Sequence, residues 1–324
     1  MAEPSYVELF ILFWAVMSAT LYLILLVMLF KLRNQPPFNN SFFTLCLSLG
    51  IADLGCIFTL YPLRLFRYWG WLEWKFLATN SRFIDWFGRM VEGCSWYFGL
   101  NQYIGVTALS LNRYYSVIDP LRIWPKSVLF MGLLSQWGVP AVSVLPLWFQ
   151  RYDYTYYNQS SYYSVDGRNK ALAVTHLLAT ICAAYCLIAV NTVLYWRIHR
   201  EVDRSRKAEV GGTKLTKNNL RLICMGLTLF LFMFGINLYL VFVVVMSVLG
   251  LGTHLTDRLW AQWTVLFALC NVWLLLFLSR PVRRSFLSFI GLRGLADRLA
   301  ATTNARRDAK LPAKPKPFEA WKTL

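Results

Sequence analysis

Residues 7–30 read VELFILFWAVMSATLYLILLVMLF, a run that contains one acidic residue, Glu8, and no lysine or arginine. A helix needs about 20 mainly apolar residues to cross the hydrocarbon core of a bilayer. Hydrocarbon offers no hydrogen-bond partner to the backbone, so an open chain crosses it as a helix. No basic residue precedes the run, and it exceeds the roughly 7–15 apolar residues of a signal-peptide core. We therefore expect a retained membrane span in a mature chain that begins at or near Met1.

Six further segments have the same length and character, and together with the first they predict an all-α membrane protein with a seven-transmembrane helix bundle. They are residues 41–63, 83–111, 128–149, 171–196, 220–249 and 257–278. The composition agrees, because 57% of the residues are hydrophobic and 15% are charged, against about 25% charged in soluble domains. This composition excludes intrinsic disorder, collagen and a secreted disulfide scaffold.

The basic residues predict the orientation of the bundle. The net charge of +17 would suit a nucleic-acid partner, but the charge lies between the apolar runs and predicts membrane lipids instead. Residues 31–40, 112–127, 197–219 and 280–324 hold two, three, seven and eleven lysines and arginines. Because basic loops stay in the cytoplasm, we expect the N-terminus outside and the C-terminus inside.

Two regions follow the seventh span. At residues 280–290, Val282, Phe286, Phe289 and Ile290 recur at helical spacing opposite arginines, which predicts a short helix in the membrane interface. Residues 293–324 are basic and rich in lysine and proline, and we expect a disordered cytoplasmic tail. The predicted helix-bundle domain, with the interfacial helix, therefore covers residues 1–292.

The third predicted span ends in SLNRYYSVIDPL at residues 110–121. This stretch resembles the Asp/Glu-Arg-Tyr motif, with its following proline, of rhodopsin-like G-protein-coupled receptors. LSLGIAD at residues 47–53 resembles the second-span signature, Trp137 with Pro140 the fourth span, and NVWLL at residues 271–275 a degenerate Asn-Pro-x-x-Tyr. The resemblance implies that Asn112, Arg113, Tyr114 and Pro120 form the surface that couples to a G protein.

Several differences from the rhodopsin-like motifs indicate a more specific group of receptors. Asn112 replaces the acidic residue of the motif, and Val272 replaces the proline of the seventh span. All seven cysteines fall in predicted spans, so the usual outer disulfide has no cysteines to form it. With PFNNSFF at residues 37–43, the chain is most similar to the nematode serpentine chemoreceptors of the class gamma and class V group. This implies a sensory-cell plasma-membrane receptor that binds a small molecule or peptide and activates a heterotrimeric G protein.

The resemblance and the cost of burying a charge together indicate a second set of candidate functional residues, those of an activation network. Asp53 is the only acid deep in the second span, and an ionisable group inside a membrane indicates function by default. The matching acid of the family belongs to a polar network that rearranges on activation. We expect Asn237 and Asn271 to be its partners, and a purely structural hydrogen bond is the alternative interpretation.

Charged and aromatic residues on the outer half of the third span are candidates for a ligand pocket. Asp85, Arg89, Glu92 and Trp96 lie on one helical face. They either line a ligand site or form an internal ladder that holds neighbouring helices. Three more residues of later spans could face the same cavity: His176, Trp260 and Trp263.

Other classes of function have less support. The three histidines are not paired at helical spacing, so we expect no metal, and no phosphate loop or catalytic triad indicates an enzyme or a cofactor. A transporter or channel is the alternative function, but the spans are nearly free of proline and show no inverted repeat. Alternating tyrosines at 152, 154 and 156 predict a hairpin over the bundle, beside a glycosylation acceptor at Asn158.

Overall fold

The structure is a computed structural model that describes residues 5–65, 81–118, 124–157, 162–207, 217–248, 254–292 and 294. It divides into two units, Met1–Ser279 and Arg280–Leu324. The first unit contains seven long helices and a two-stranded sheet within the described residues. The helices are α1 (Tyr6–Leu32), α2 (Ser41–Thr59), α3 (Ser81–Ile118), α4 (Lys126–Phe149), α5 (Lys170–Lys207), α6 (Lys217–Val248) and α7 (His254–Leu278).

The first two helices begin where their sequences provide caps. The Ser5 side chain accepts a hydrogen bond from the Glu8 amide at 3.3 Å, and the Glu8 carboxylate accepts one from the Ser5 amide at 2.8 Å. This reciprocal pair satisfies two amides that have no partner within the helix. Asn40 caps α2 by accepting from the Phe43 amide at 3.2 Å. At its other end, α2 continues into a π-helical turn, Leu60–Leu65.

Six of the seven helices are long and apolar enough to cross a membrane, and α3 is the seventh long helix. α3 differs from the other six helices in being less apolar, because its first part carries four charged residues: Arg82, Asp85, Arg89 and Glu92. α3 nevertheless lies at the centre of the bundle, where it packs against α2, α4, α5 and α6. Many residues on the outer faces of the other helices are large and apolar, as expected for a surface in contact with lipid.

The predicted hairpin is confirmed. Strands β1 (Tyr152–Tyr157) and β2 (Tyr162–Gly167) pair antiparallel, with Tyr152 opposite Gly167 and Tyr157 opposite Tyr162. The alternating aromatic residues explain the strands, because aromatic side chains favour a pleated, half-buried surface. The hairpin directly follows α4.

The second unit begins with helix α8 (Arg280–Phe289). The helix ends in a Schellman motif, in which the Leu292 amide donates to the Leu287 carbonyl at 2.8 Å. Gly291 provides the left-handed backbone that this motif requires, with φ of 85°. The predicted helical segment therefore exists, and its place in the membrane interface stays a prediction.

Some predicted features lie outside the described residues. These are Pro120, Asn158, the side chain of Trp260, and the tail from residue 295 onward.

Candidate functional site

A buried polar network surrounds Asp53 in the middle of the bundle. Its carboxylate accepts hydrogen bonds from the Tyr22 hydroxyl of α1 at 2.5 Å and from the Asn271 amide of α7 at 2.8 Å. The other carboxylate oxygen accepts from the Gln102 amide of α3 at 2.7 Å. Asp53 is 1% exposed, so these donors replace the water that a carboxylate would otherwise require. One side chain thus connects four helices.

The sequence identified only part of this network. Asn271 contacts Asp53 as predicted, and it also donates to the Tyr22 hydroxyl at 2.6 Å. Asn237 instead donates to the Met233 carbonyl of its own helix at 2.9 Å, and the described residues contain no hydrogen bond between Asn237 and Asp53. Tyr22 and Gln102 were missed. A tyrosine and a glutamine within otherwise apolar spans were the available signal.

Arg113 lies at the C-terminal end of α3 and is buried. Its guanidinium carbon lies 3.4 Å from the centre of the Phe42 ring, which belongs to the first turn of α2. The Arg113 Nε atom has no hydrogen-bond partner in the part of the chain that the structure describes. A cation over an aromatic face is attracted by the ring quadrupole. The Phe42 ring is therefore a contact that can restrain the guanidinium in a motif that lacks its acidic residue.

The neighbours of Arg113 in the motif contact two other helices. Asn112 donates from its side chain to the Ser41 hydroxyl of α2 at 2.8 Å. The Tyr114 hydroxyl accepts from Arg197 of α5 at 3.3 Å. The ends of α2, α3 and α5 therefore meet around the Asn-Arg-Tyr sequence.

A link between α3 and α5 lies one turn earlier. The Ser110 side chain donates to the Tyr195 hydroxyl at 3.1 Å. A Cβ atom on Gly226 of α6 would lie 2.3 Å from the same hydroxyl, so glycine is needed for this close approach. Tyr195 also interacts electrostatically with Arg113. The Tyr195 hydroxyl thus lies where α3, α5 and α6 converge.

At the opposite end of the bundle, Asp85 and Arg89 attach the hairpin to α3. Their side chains form an ion pair at 2.5 Å. Asp85 also accepts from the Tyr152 amide at 2.8 Å, and the Arg89 Nε atom donates to the Gln150 carbonyl at 3.3 Å. The predicted alternatives were a ligand site and a ladder between helices. The contacts of Asp85 and Arg89 connect α3 to the start of β1 and to the C-terminal end of α4, and their part in a ligand site stays a prediction.

Tyr152 completes this attachment. It is 4% exposed and packs against Phe87 and Val91 of α3. Burial raises the pKa of Tyr152 to about 12, so its hydroxyl keeps its proton at physiological pH. The hydroxyl accepts from Gln150 at 2.6 Å and donates to the Leu147 carbonyl at 3.3 Å.

Three other candidates for the ligand pocket do not all lie together: Trp96, His176 and Trp263. Trp96 packs edge-on against His176 of α5 with ring centres 5.6 Å apart. Trp96 also lines a cavity between α3, α5, α6 and α7, together with Asn237. Trp263 lies instead on the outer surface, 45% exposed, in a groove between α6 and α7. Glu92 interacts electrostatically with both Tyr152 and His176.

Covalent and metal chemistry has no visible basis in the described residues. No three histidine, cysteine, aspartate or glutamate side chains among them come together as a metal site. All seven cysteines are free thiols.

Comparisons with known proteins agree with this architecture. The chain matches the family described as "Serpentine type 7TM GPCR chemoreceptor Srv" over residues 10–292. It is 26% identical over 281 residues to Serpentine receptor class V-1 of Caenorhabditis elegans, covering 82% of this chain and 83% of that protein. Its fold is similar to that of squid rhodopsin, with a TM-score of 0.67 at 13% sequence identity, covering 95% of this chain and 91% of the other.

The family match spans most of the chain, including the Asn-Arg-Tyr sequence, the Asp53 network and the hairpin. It confirms the resemblance found in the sequence motifs, and the bundle agrees with the rhodopsin fold. The protein therefore belongs to the Srv family of serpentine seven-transmembrane G-protein-coupled chemoreceptors.

Proposed function

We propose that this protein binds an extracellular chemical ligand inside its helix bundle and activates a heterotrimeric G protein at the end that carries Arg113. In this proposal it works in the plasma membrane of sensory cells, with its N-terminus outside. Asn112, Arg113, Tyr114 and Pro120 contribute to the G-protein surface. No catalytic step or cofactor is involved.

The burial of Arg113 carries the proposal. A permanent positive charge at 6% exposure is costly unless it is paired, yet its partner among the described residues is the face of Phe42. A ring face compensates a cation by only about 0.5–2 kcal/mol. Such a contact holds the guanidinium at rest and lets it leave when an acceptor appears. Backbone carbonyls of a docking G-protein helix would be suitable acceptors.

The Asp53 network supports the step that connects these two events, the transmission of a signal from a bound ligand to the Arg113 end of the bundle. Its four hydrogen-bonded side chains come from α1, α2, α3 and α7. Gln102 also lines the central cavity, so a ligand in the cavity would contact a residue that bonds to Asp53. Coupling of this kind requires two discrete arrangements of the same contacts.

The direct test is nucleotide exchange on purified heterotrimeric G proteins added to membranes that contain the full chain. We expect basal exchange above that of empty membranes, and we expect Arg113→Ala to abolish the excess. Arg33→Ala is the matched control, since Arg33 is an exposed arginine at the end of α1 that also lies over a ring, Phe30, at 4.1 Å. Full exchange by surface-expressed Arg113→Ala would contradict the proposal.

A further inference from the structure

The cavity between α3, α5, α6 and α7 has an uncharged lining. Its polar groups come from side chains such as Ser95, Gln102, Asn237 and Thr264, and none of its described lining residues is acidic or basic. Its volume is about 20 Å³, room for roughly one water molecule. A ligand that fits this lining is neutral and forms one or two hydrogen bonds.

A second space lies on the outer surface of the same helices. A groove of about 550 Å³ runs between α6 and α7, and its lining is almost entirely apolar. This volume is within the range of about 300–1,000 Å³ that is typical of small-molecule sites. Gly235 belongs to its lining, and a Cβ atom there would meet nothing within 4 Å, so a larger side chain at this position would project into the groove. The groove is lined mainly by Leu231, Gly235, Leu238, Phe242 and Trp263.

The groove opens toward lipid. Both α6 and α7 are among the helices able to span a membrane, and Leu238 and Phe242 in its lining are 58% and 50% exposed. Any molecule that fills the groove therefore comes from the hydrocarbon of the bilayer. A charged ligand is excluded from that route because a charge near the bilayer centre costs several kcal/mol.

One residue separates the two spaces. Ile236 is 3% exposed and lines both the groove and the central cavity. On α7, Trp263 faces the groove and its neighbour Thr264 faces the cavity. The hairpin meanwhile covers α3 at the Asp85 end, where Tyr152 is buried against Phe87. A lateral route between the groove and the cavity would therefore pass the Ile236 side chain.

We propose that the groove between α6 and α7 is a binding site for a neutral lipophilic molecule with one hydrogen-bonding group, such as a long-chain alcohol or ketone. Such a molecule dissolves in the bilayer and binds beside Gly235, and only its hydrogen-bonding group passes Ile236 into the cavity, which has room for roughly one water molecule. The identification of this molecule as the receptor's ligand rests on the proposed function. The site itself depends only on the groove.

Photolabelling tests the site without any signalling step. The full chain in lipid nanodiscs is irradiated with benzophenone, a neutral lipophilic ketone, and the labelled residues are mapped by mass spectrometry. We expect labels to concentrate on residues 231–242 and on Trp263. Gly235→Phe places a ring in the groove and should reduce this labelling about tenfold, which corresponds to a loss of roughly 1.4 kcal/mol.

Gly138→Phe on α4 is the matched control. A Cβ atom at Gly138 also meets nothing within 4 Å, so the same ring is added at an open position of another spanning helix. It should leave labelling of the groove unchanged. Equal labelling of all lipid-facing helices would overturn the proposal, as would unchanged groove labelling in Gly235→Phe. Equal groove labelling by 4-benzoylbenzoate, which carries a charge, would overturn the neutral class of ligand.

The lateral route has its own variant. Ile236→Ala shortens the side chain shared by the groove and the cavity, so the ketone group of groove-bound benzophenone should label residues 95–103 of α3 more strongly. Labelling of the groove should persist, which also shows that the variant is folded. No increase in α3 labelling would overturn the connection between the groove and the cavity. A groove that is labelled in a chain unable to activate any G protein would refute the proposed function and leave the binding site standing.

Discussion

The guanidinium carbon of Arg113 lies 3.4 Å from the centre of the Phe42 ring, so the arginine of the third helix is stacked on the first turn of the second. Asn112 next to it points at Ser41 in the same turn. The two residues of the motif thus make separate contacts with α2.

Removing the ring should loosen the resting state. Phe42→Leu keeps an apolar side chain of similar size but loses the attraction for Arg113, which is about 0.5–2 kcal/mol. We expect basal nucleotide exchange to rise by about two- to thirtyfold. Phe42→Tyr keeps an aromatic face and should behave like wild type. Unchanged or reduced exchange in Phe42→Leu would show that the stacking does not restrain Arg113.

Restoring an acid at the motif should lower basal activity. In Asn112→Asp the Ser41 hydroxyl can donate to the new carboxylate, and the positive N-terminal end of α2 favours a negative charge. Both effects tighten the contact between α2 and α3. In the Ser41→Ala background the same substitution should lose part of its effect. An increase in basal exchange for Asn112→Asp would contradict this account.

Stability should depend on Asp53. Asp53→Leu leaves the Tyr22, Gln102 and Asn271 donors without their acceptor, at about 1–3 kcal/mol for each unsatisfied group. Asp53→Asn keeps the shape and one acceptor oxygen and should cost less. The measurement is the temperature at which the buried thiols Cys46 and Cys56 become reactive. Equal unfolding temperatures for the two variants would argue against the network.

The hairpin should loosen when its attachment to α3 is broken. Asp85→Ala removes the acceptor of the Tyr152 amide and the partner of Arg89. We expect faster hydrogen exchange across residues 152–157, by about tenfold for a local loss near 1.4 kcal/mol. Arg151→Ala changes an exposed neighbouring charge and serves as the control. Slow exchange in Asp85→Ala would assign the anchoring to Tyr152 packing alone.

Glycosylation tests the orientation of the bundle. Asn158-Gln159-Ser160 is an acceptor in the hairpin region, and Asn39-Asn40-Ser41 is an acceptor at the opposite end. With the N-terminus outside, a glycosidase shift should be present in wild type and vanish in Asn158→Gln. A shift that survives in Asn158→Gln and is lost in Asn39→Gln would place Arg113 outside the cell.

The sequence by itself determined the class of the protein. Apolar runs such as residues 7–30 predict spanning helices because a bilayer leaves the backbone no other partner. The Asn-Arg-Tyr sequence and Asp53 also indicated candidate functional positions, since polar groups in a span are costly. The alternating tyrosines predicted the hairpin for an equally local reason, because successive side chains of a strand point to opposite faces.

Only the tertiary structure decided which residues meet. Phe42 and Arg113 are separated by 71 positions in the chain, as are Ser41 and Asn112, and no local pattern encodes such a pairing. The sequence placed Asp85 and Arg89 on one face of a helix, and only the structure shows that Asp85 also accepts from the Tyr152 amide. Tyr22 and Gln102 looked like ordinary polar residues of their spans. Their roles arise from helix packing, which depends on the shapes of all the neighbouring side chains at once.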